Sequence, residues 1–290
     1  MSHGLDRAYL TFDRWRSALV VAFASDSFFD HYNALTYGAS ATYRPDSATF
    51  RRGLFDWEEE AVRRFFPSPP ARVLIGGAGG GREAFSFLEK GYNVVAFDPA
   101  EALVQAMRSR TPPGGGLRAY CGSYGTLPNL TGAPGQPDFS LMDEPSFDAA
   151  VIGWASLSHL RSDAACIETL RRFGELTRGP ILLSYYPHPS PAHVASPVGG
   201  LKGWVKRRME RRGASAFSVQ IGYYRLLRDV DIEALVSRTG LRVLWAQRGG
   251  SWPHLLVAGV GHGPQRSVSP PAAMSVTGPG RPSDNTAPTE

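Results

Sequence analysis

Five glycines and one aspartate form the clearest candidate binding site in this sequence. The glycines fall within the six residues from Gly76 to Gly81, and Asp98 lies 21 positions after Gly77. Glycine lets the backbone turn sharply and approach a ligand closely, and a helix start offers free N–H groups. An acid about 20 residues further on can accept hydrogen bonds from both ribose hydroxyls. The spacing therefore predicts a nucleoside site.

The segments around these residues alternate in the order that such a site requires. Val73–Ile75 is a short apolar run before the glycines, Glu83–Lys90 is typical of a helix, and Val94–Phe97 is a second apolar run that ends at Asp98. A strand, a glycine turn, a helix and a second strand make a βαβ unit, with the acid at the tip of the second strand.

The alternation of strands and helices continues along the chain. Phe147–Ile152 and Ile181–Tyr185 are predicted to be buried strands, and the helix between them can be capped by Ser162. Near-continuous apolar strands favour an α/β fold whose parallel sheet has helices on both faces. Leu241–Ala246 and His254–Val260 are joined by a short link with two glycines, which predicts an antiparallel hairpin.

In this order the motifs resemble those of the class I S-adenosylmethionine-dependent methyltransferases, over about residues 67–261. The resemblance rests on VLIGGAGGG, VVAFD, CGSYGTLP, FDAAVIGWASLSHL, LRVLWAQ and HLLVAGV. The His-Leu ending of the fourth segment is similar to the small-molecule branch. The resemblance implies a Rossmann-like, seven-stranded, mostly parallel sheet with helices on both faces, an antiparallel last strand and an N-terminal helical cap. It also implies S-adenosyl-L-methionine as cofactor and methyl transfer to an oxygen or nitrogen of a small-molecule acceptor.

The resemblance further implies a set of cofactor-binding residues. They are Gly77, Ala78, Gly79, Gly81, Asp98, Pro99, Gly122, Ser123, Tyr124, Gly153 and Trp154. Two positions depart from the family pattern. Ile75 stands where the family usually has an acid that helps to hold the methionine amino group, and Ser123 stands where Asp is common. Cofactor affinity is therefore expected to be reduced, or to be supplied by other residues.

Methyl transfer from a sulfonium is an in-line displacement, which depends mainly on positioning; a hydroxyl acceptor also benefits from a base. His159, shortly after the fourth predicted strand, is the best-placed candidate for that base. A histidine that packs against the following helix is the structural alternative for His159, and a lining or structural role is the expectation for His188. In the predicted cap, Tyr37, Tyr43 and Arg44 are candidates to close over the ligands.

The chain is expected to divide into three parts. Residues 1–66 form the helical cap, 67–261 form the methyltransferase domain, and 262–290 are too poor in large apolar residues to fold. The insertion at 187–218 carries a basic run from Lys202 to Arg212. Such a run is usually a solvated helix face, but it leaves binding of nucleic acid open.

Composition excludes some classes of protein and leaves others open. Two cysteines exclude a disulfide framework, and the net charge of +5 permits an acidic partner without requiring one. No run approaches the ~20 apolar residues that span a bilayer. Ser17–Ala24 is short for a signal peptide and follows two aspartates, so a cytoplasmic protein is expected. The oligomeric state is not predicted.

Three other functions remain open. An NAD(P)-dependent oxidoreductase shares the glycine turn and the acid, but it needs a small residue where Arg82 stands. A non-catalytic, methyltransferase-like binding protein is favoured by Ile75. An RNA methyltransferase is favoured by the basic run, although the chain lacks an Asn/Asp-Pro-Pro-aromatic motif after the fourth strand and a Pro-Cys nucleophile.

Overall fold

A computed structural model of the protein describes residues 15–44, 46–112, 114–132, 137–188, 215–250 and 252–259. Its helices are α1 (15–23), α2 (Asp26–Ala39), α3 (Ala48–Arg52), α4 (Asp56–Phe65), α5 (Arg82–Glu89), α6 (Glu101–Arg110), α7 (Asp163–Leu176) and α8 (Asp229–Ser237). Its strands are β1 (Arg72–Gly76), β2 (Asn93–Asp98), β3 (Leu117–Cys121), β4 (Asn129–Leu130), β5 (Phe139–Ser140), β6 (Ala149–Ile152), β7 (Ile181–Ser184), β8 (Ser215–Ser218), β9 (Gly222–Arg225), β10 (Leu241–Gln247) and β11 (His254–Gly259).

Seven of these strands form one sheet in the order β3-β2-β1-β6-β7-β11-β10. The five strands from β3 to β7 run parallel, and β11 is antiparallel to both of its neighbours. The predicted mostly parallel, seven-stranded sheet with an antiparallel last strand is confirmed. The order places β1 inside the sheet, between β2 on one side and β6 on the other.

The sheet is covered on both faces because the middle residues of its central strands are apolar and buried. On one face Leu74 packs in a core with Leu170 and Phe173 of α7 and with residues of α8. On the other face Val73 and Ile75 pack with α4, α5 and α6. Helices on both faces were predicted, and this prediction is confirmed.

A separate small core joins the helical cap to a hairpin from the far end of the chain. Val21 of α1 and Phe29 of α2 pack with Phe217 of β8 and Tyr223 of β9. The rings of Phe29 and Tyr223 lie 4.7 Å apart. The predicted cap is therefore helical, but it also includes a two-stranded sheet that the sequence did not predict.

Several predicted segments lie outside the described residues. These are most of the insertion at 187–218, including the basic run from Lys202 to Arg212, and the tail at 262–290. Within the described part of the chain, no helix is both long and apolar enough to cross a membrane.

Candidate functional site

A cavity of about 1110 Å³ opens at the carboxyl ends of the central parallel strands. Its walls come from the segments after β1, β2, β3 and β6, and from one side each of α2 and α7. Ligands of open α/β sheets bind in the crevice at this edge, where the chain crosses to opposite faces of the sheet. The cavity is larger than the range of about 300–1,000 Å³ usual for one small ligand, so it has room for two.

The glycine turn is held against the two neighbouring loops. Gly77 has φ +65°, and a Cβ there would lie 2.7 Å from the Cβ of Ser156, so only glycine fits. The carbonyl of Gly76 accepts bonds from the Tyr124 hydroxyl at 2.9 Å and from the Gly153 N–H at 2.8 Å. These two bonds hold the turn, which lines the cavity, against the segments after β3 and β6.

Asp98 stands at the tip of β2 with its carboxylate on the cavity. Its two oxygens accept the N–H groups of Gly79 and Ala100, each at 2.8 Å. Burial raises the pKa of Asp98 to about 6, although both N–H groups lower it. Each carboxylate oxygen has a second lone pair, so Asp98 can still accept bonds from a ligand.

The predicted cofactor residues fall into two groups. Those that line the cavity are Gly77, Gly79, Asp98, Pro99, Gly122, Ser123, Tyr124 and Trp154. Ala78, Gly81 and Gly153 do not line it. Ala78 is buried and donates its N–H to Phe97, Gly81 is the residue before α5, and Gly153 packs on Gly76. The binding roles of all eleven residues stay predictions.

Trp154 carries an unpartnered donor into the cavity wall. Its indole Nε1 is buried, and among the described residues it has no hydrogen-bond acceptor. Leaving a buried donor unpaired costs about 1–3 kcal/mol.

A buried ion cluster lies behind the glycine turn, where Arg82 stands between two glutamates. Its guanidinium donates to both oxygens of Glu58, at 2.6 and 2.7 Å, and to Glu83 at 2.6 Å. It also donates to the Gly53 carbonyl at 2.8 Å and lies 4.1 Å from the ring centroid of Phe55. The three charged side chains are only 2–8% exposed. The cluster joins α4 to the start of α5.

The charges of this cluster do not balance. Burial opposes the charge of Arg82, but Glu83 and Glu58 outweigh it and raise the pKa of Arg82. Burial also raises the pKa of Glu58. The sequence singled out Arg82 because it stands where an oxidoreductase needs a small residue, and it did not indicate Glu58, which lies 24 positions before Arg82. Ile75 is fully buried in the apolar core, so the end of β1 contributes no acid to the cavity.

His159 lies on the cavity wall between two hydrogen-bond partners. Its Nδ1 is 2.7 Å from the carbonyl oxygen of Tyr223, and its Nε2 is 2.7 Å from the Tyr37 hydroxyl. Burial lowers the pKa of His159 to about 4, so the ring is neutral at pH 7. The candidate base is therefore in the cavity, and it contacts the cap rather than only the helix that follows it.

One face of α2 supplies most of the cap's share of the cavity wall. Asp26, Asp30, Asn33 and Tyr37 recur at intervals of four, three and four residues, which places them on one side of a helix. Asn33 holds the helix to β9, because its side chain accepts the N–H of Tyr223 at 2.8 Å and donates to its carbonyl at 3.1 Å. This spacing is visible in the sequence, but of these four residues only Tyr37 was predicted to contact a ligand.

Of the other two cap candidates, only one lines the cavity. Tyr43 lines the cavity, and a Cβ at Gly80 would overlap its carbonyl oxygen. Arg44 is exposed and does not line the cavity, and neither does His188. Among the described residues, no group of three or more His, Cys, Asp or Glu side chains is placed to hold a metal ion.

Two solved structures share this architecture. The methyltransferase CcbJ from Streptomyces caelestis is similar with a TM-score of 0.52 at 14% identity, over 77% of this chain and 98% of CcbJ. A SAM-dependent methyltransferase from Methanosarcina mazei is similar with a TM-score of 0.50 at 13% identity, over 72% of this chain and 99% of the other. No family model matches the chain, and no curated protein matches it in sequence. At these identities the likeness concerns the fold, which is the Rossmann-like fold of methyltransferases.

Proposed function

We propose that this protein is a class I methyltransferase that uses S-adenosylmethionine to methylate an oxygen or nitrogen of a small molecule. The cavity carries the proposal, because it combines a ribose-accepting acid, a glycine turn and a cap at the carboxyl edge of a methyltransferase sheet. Its volume of about 1110 Å³ supports two ligands side by side.

The residues of the cavity fit the cofactor chemically. Asp98 would accept the two ribose hydroxyls with its remaining lone pairs, and Pro99, Ser123 and Tyr124 would border the adenine. Gly77 and Trp154, which both line the cavity, would border the methionine part. When bound, the cofactor supplies a methyl group on a positively charged sulfur.

The protein's own contribution is to align the reactants and to exclude water. Alignment alone can lower the barrier by about 7–11 kcal/mol. The turn at Gly77 forms one side of the cavity, and α2, held by Asn33 and Tyr37, forms the other side. The proposal accordingly includes a cap at 1–66 and a methyltransferase domain at 67–261, with an insertion at 187–218.

A non-catalytic binding protein is the second candidate, and one observation favours it. Ile75 lies in the apolar core, so the cofactor's amino group lacks the acid that the family supplies at that position. This candidate predicts that the protein binds the cofactor but transfers no methyl group to any acceptor.

Calorimetry tests the cofactor assignment. We expect S-adenosylmethionine and its demethylated product to bind, and NADH to bind much more weakly. Asp98→Ala should weaken cofactor binding by about 1–3 kcal/mol, because charge-assisted bonds are lost. Asp138→Ala is the matched control, since Asp138 is exposed and does not line the cavity. Tighter binding of NADH, or unchanged affinity in Asp98→Ala, would contradict the proposal.

A further inference from the structure

We propose that the methyl acceptor is a hydroxyl, and that Tyr37 takes its proton while passing its own proton to His159. This inference rests on the proposed methyltransferase function and names the acceptor class of the same cavity. It makes Tyr37 the residue that touches the acceptor, and it makes His159 a residue that acts through Tyr37.

The hydrogen bonds of His159 determine where its proton lies. A carbonyl oxygen can only accept, so the 2.7 Å contact with Tyr223 requires the proton on Nδ1. The same carbonyl accepts the Asn33 amide at 3.1 Å. The neutral ring therefore presents the lone pair of Nε2 to Tyr37, and the tautomer is the one that a base needs.

Tyr37 must then donate its hydroxyl proton to His159. The two atoms are 2.7 Å apart, and Nε2 has no proton of its own to give. This leaves the lone pairs of the Tyr37 oxygen as acceptors for another group. Tyr37 and His159 both line the cavity, together with Gly77 and Trp154. Tyr43 also lines the cavity, and its ring centroid lies 4.9 Å from that of Tyr37.

The transfer balances with these groups alone. An acceptor oxygen lone pair forms the bond to the methyl carbon, and the carbon–sulfur bond breaks with its electron pair going to sulfur. The acceptor's proton passes to the Tyr37 oxygen, and the Tyr37 proton passes to Nε2 of His159. The imidazolium keeps its Nδ1–H bond to Tyr223, which becomes charge-assisted and stronger. The proton later leaves to solvent.

The strength of the base separates hydroxyls from amines. An oxygen that gains a methyl group while it still holds its proton is a strong acid, and it gives that proton even to a weak base. Burial lowers the pKa of His159 to about 4, so it is a weak base. A methylated aliphatic amine resembles a lysine side chain with a pKa of about 10, and it would keep its proton. The relay is therefore useful for a hydroxyl and idle for an aliphatic amine.

The test compares hydroxyl probes with amine probes of similar shape, and it uses two single-residue variants. Formation of the demethylated cofactor is followed with benzyl alcohol, 2-phenylethanol and phenol, and with benzylamine and 2-phenylethylamine. Wild-type protein should turn over hydroxyl probes, and only this turnover should depend on Tyr37 and His159, because an amine needs no base. Tyr37→Phe and His159→Asn should each lower kcat about 100-fold or more, with KM and cofactor Kd changed less than about threefold. The double variant should be no slower than either single one, because the two groups act as a unit.

Tyr32→Phe is the control, since Tyr32 lies on the same helix, bonds to Val219 at 3.0 Å and does not line the cavity. It should retain wild-type kcat. Tyr37→Phe removes one oxygen and keeps the ring. If His159→Asn does not fold, the kcat of Tyr37→Phe alone tests the relay. Full activity of Tyr37→Phe on hydroxyl probes, an equal loss of hydroxyl and amine turnover in that variant, or no hydroxyl turnover with the cofactor bound would each overturn the relay. Failure to bind the cofactor at all would instead overturn the proposed function, and the relay with it.

Discussion

Two ion clusters join residues of the predicted cap at 1–66 to the domain, one buried at the start of α5 and one at the cavity rim. Inside, Arg82 lies between Glu58 and Glu83, and the three side chains are 2–8% exposed. At the rim, Arg161 pairs with Asp26 and Asp30 of α2, and its side chain is 28% exposed while theirs are 65–66% exposed. Each cluster pairs one arginine with two carboxylates, glutamates in the buried cluster and aspartates at the rim, and the two differ most in their exposure to solvent.

That difference decides what each cluster does. Buried charges interact in a low dielectric and cannot be left unpaired, so the inner cluster makes α4 and α5 one rigid support for the glycine turn. Exposed pairs are screened by water and salt and contribute roughly 0–1 kcal/mol. The rim cluster therefore joins the cap to the domain by contacts that break and form easily, which suits an entrance for ligands.

The largest effect is expected from Arg82→Met. Removing the guanidinium leaves Glu58 and Glu83 close together without a cation, and the free energy of unfolding at pH 7 should fall by about 3–5 kcal/mol. Urea unfolding measures the change. The double variant Glu58→Gln with Arg82→Met removes one of the stranded charges, and it should recover part of the loss. If Arg82→Met cost less than about 1 kcal/mol, water would have to reach the cluster, and its contrast with the rim would disappear.

Asp98 is the intermediate case, a buried carboxylate held by backbone N–H groups without a cation. Burial raises its pKa from the ordinary 3.8 to about 6, so the folded protein binds this proton more tightly than the unfolded chain does. The stability from that proton is complete below pH ~4 and is lost as the pH rises through ~6. A pKa difference of about two corresponds to about 3 kcal/mol.

Comparison with Asp98→Asn isolates this contribution, because asparagine does not titrate. The unfolding free energy of the wild type minus that of the variant, without cofactor, should fall by up to about 3 kcal/mol between pH 4 and pH 7. The altered hydrogen bonds of the amide add an offset that does not depend on pH. A difference that stays flat across this range would mean that Asp98 is well solvated.

The central sheet could be predicted from the sequence because its signals are local. The apolar runs Val73–Ile75 and Val94–Phe97, the glycines between them and Asp98 lie within 26 residues, and each acts through the backbone beside it. The strand order then follows from the connections of a doubly wound sheet. For the same reason the sequence alone was enough to assign Asp98, Tyr124 and Trp154 to the edge of the sheet where the cavity lies.

The cap and the buried cluster could not be predicted, because their partners are far apart in the chain. Asn33 and Tyr223 are 190 positions apart, and Arg82 meets Glu58 across a turn and a strand. A run of acids such as Glu58–Glu60 is usually a solvated helix start. Nothing local distinguishes Glu58, whose burial depends on how α4 packs against α5.

The smallest effect is expected from Arg161→Ala, which removes the cation that pairs with Asp26 and Asp30. The free energy of unfolding should fall by only about 0.2–1 kcal/mol, and less in 1 M salt, because the pairs are exposed. Hydrogen exchange of α2 amides should nevertheless become faster, since Arg161 joins that helix to the domain. Arg172→Ala is the matched control, because Arg172 pairs with Glu168 and Glu175 inside α7 and should leave α2 exchange unchanged. Equal exchange rates in both variants would show that Asn33 and Phe29 alone hold the cap.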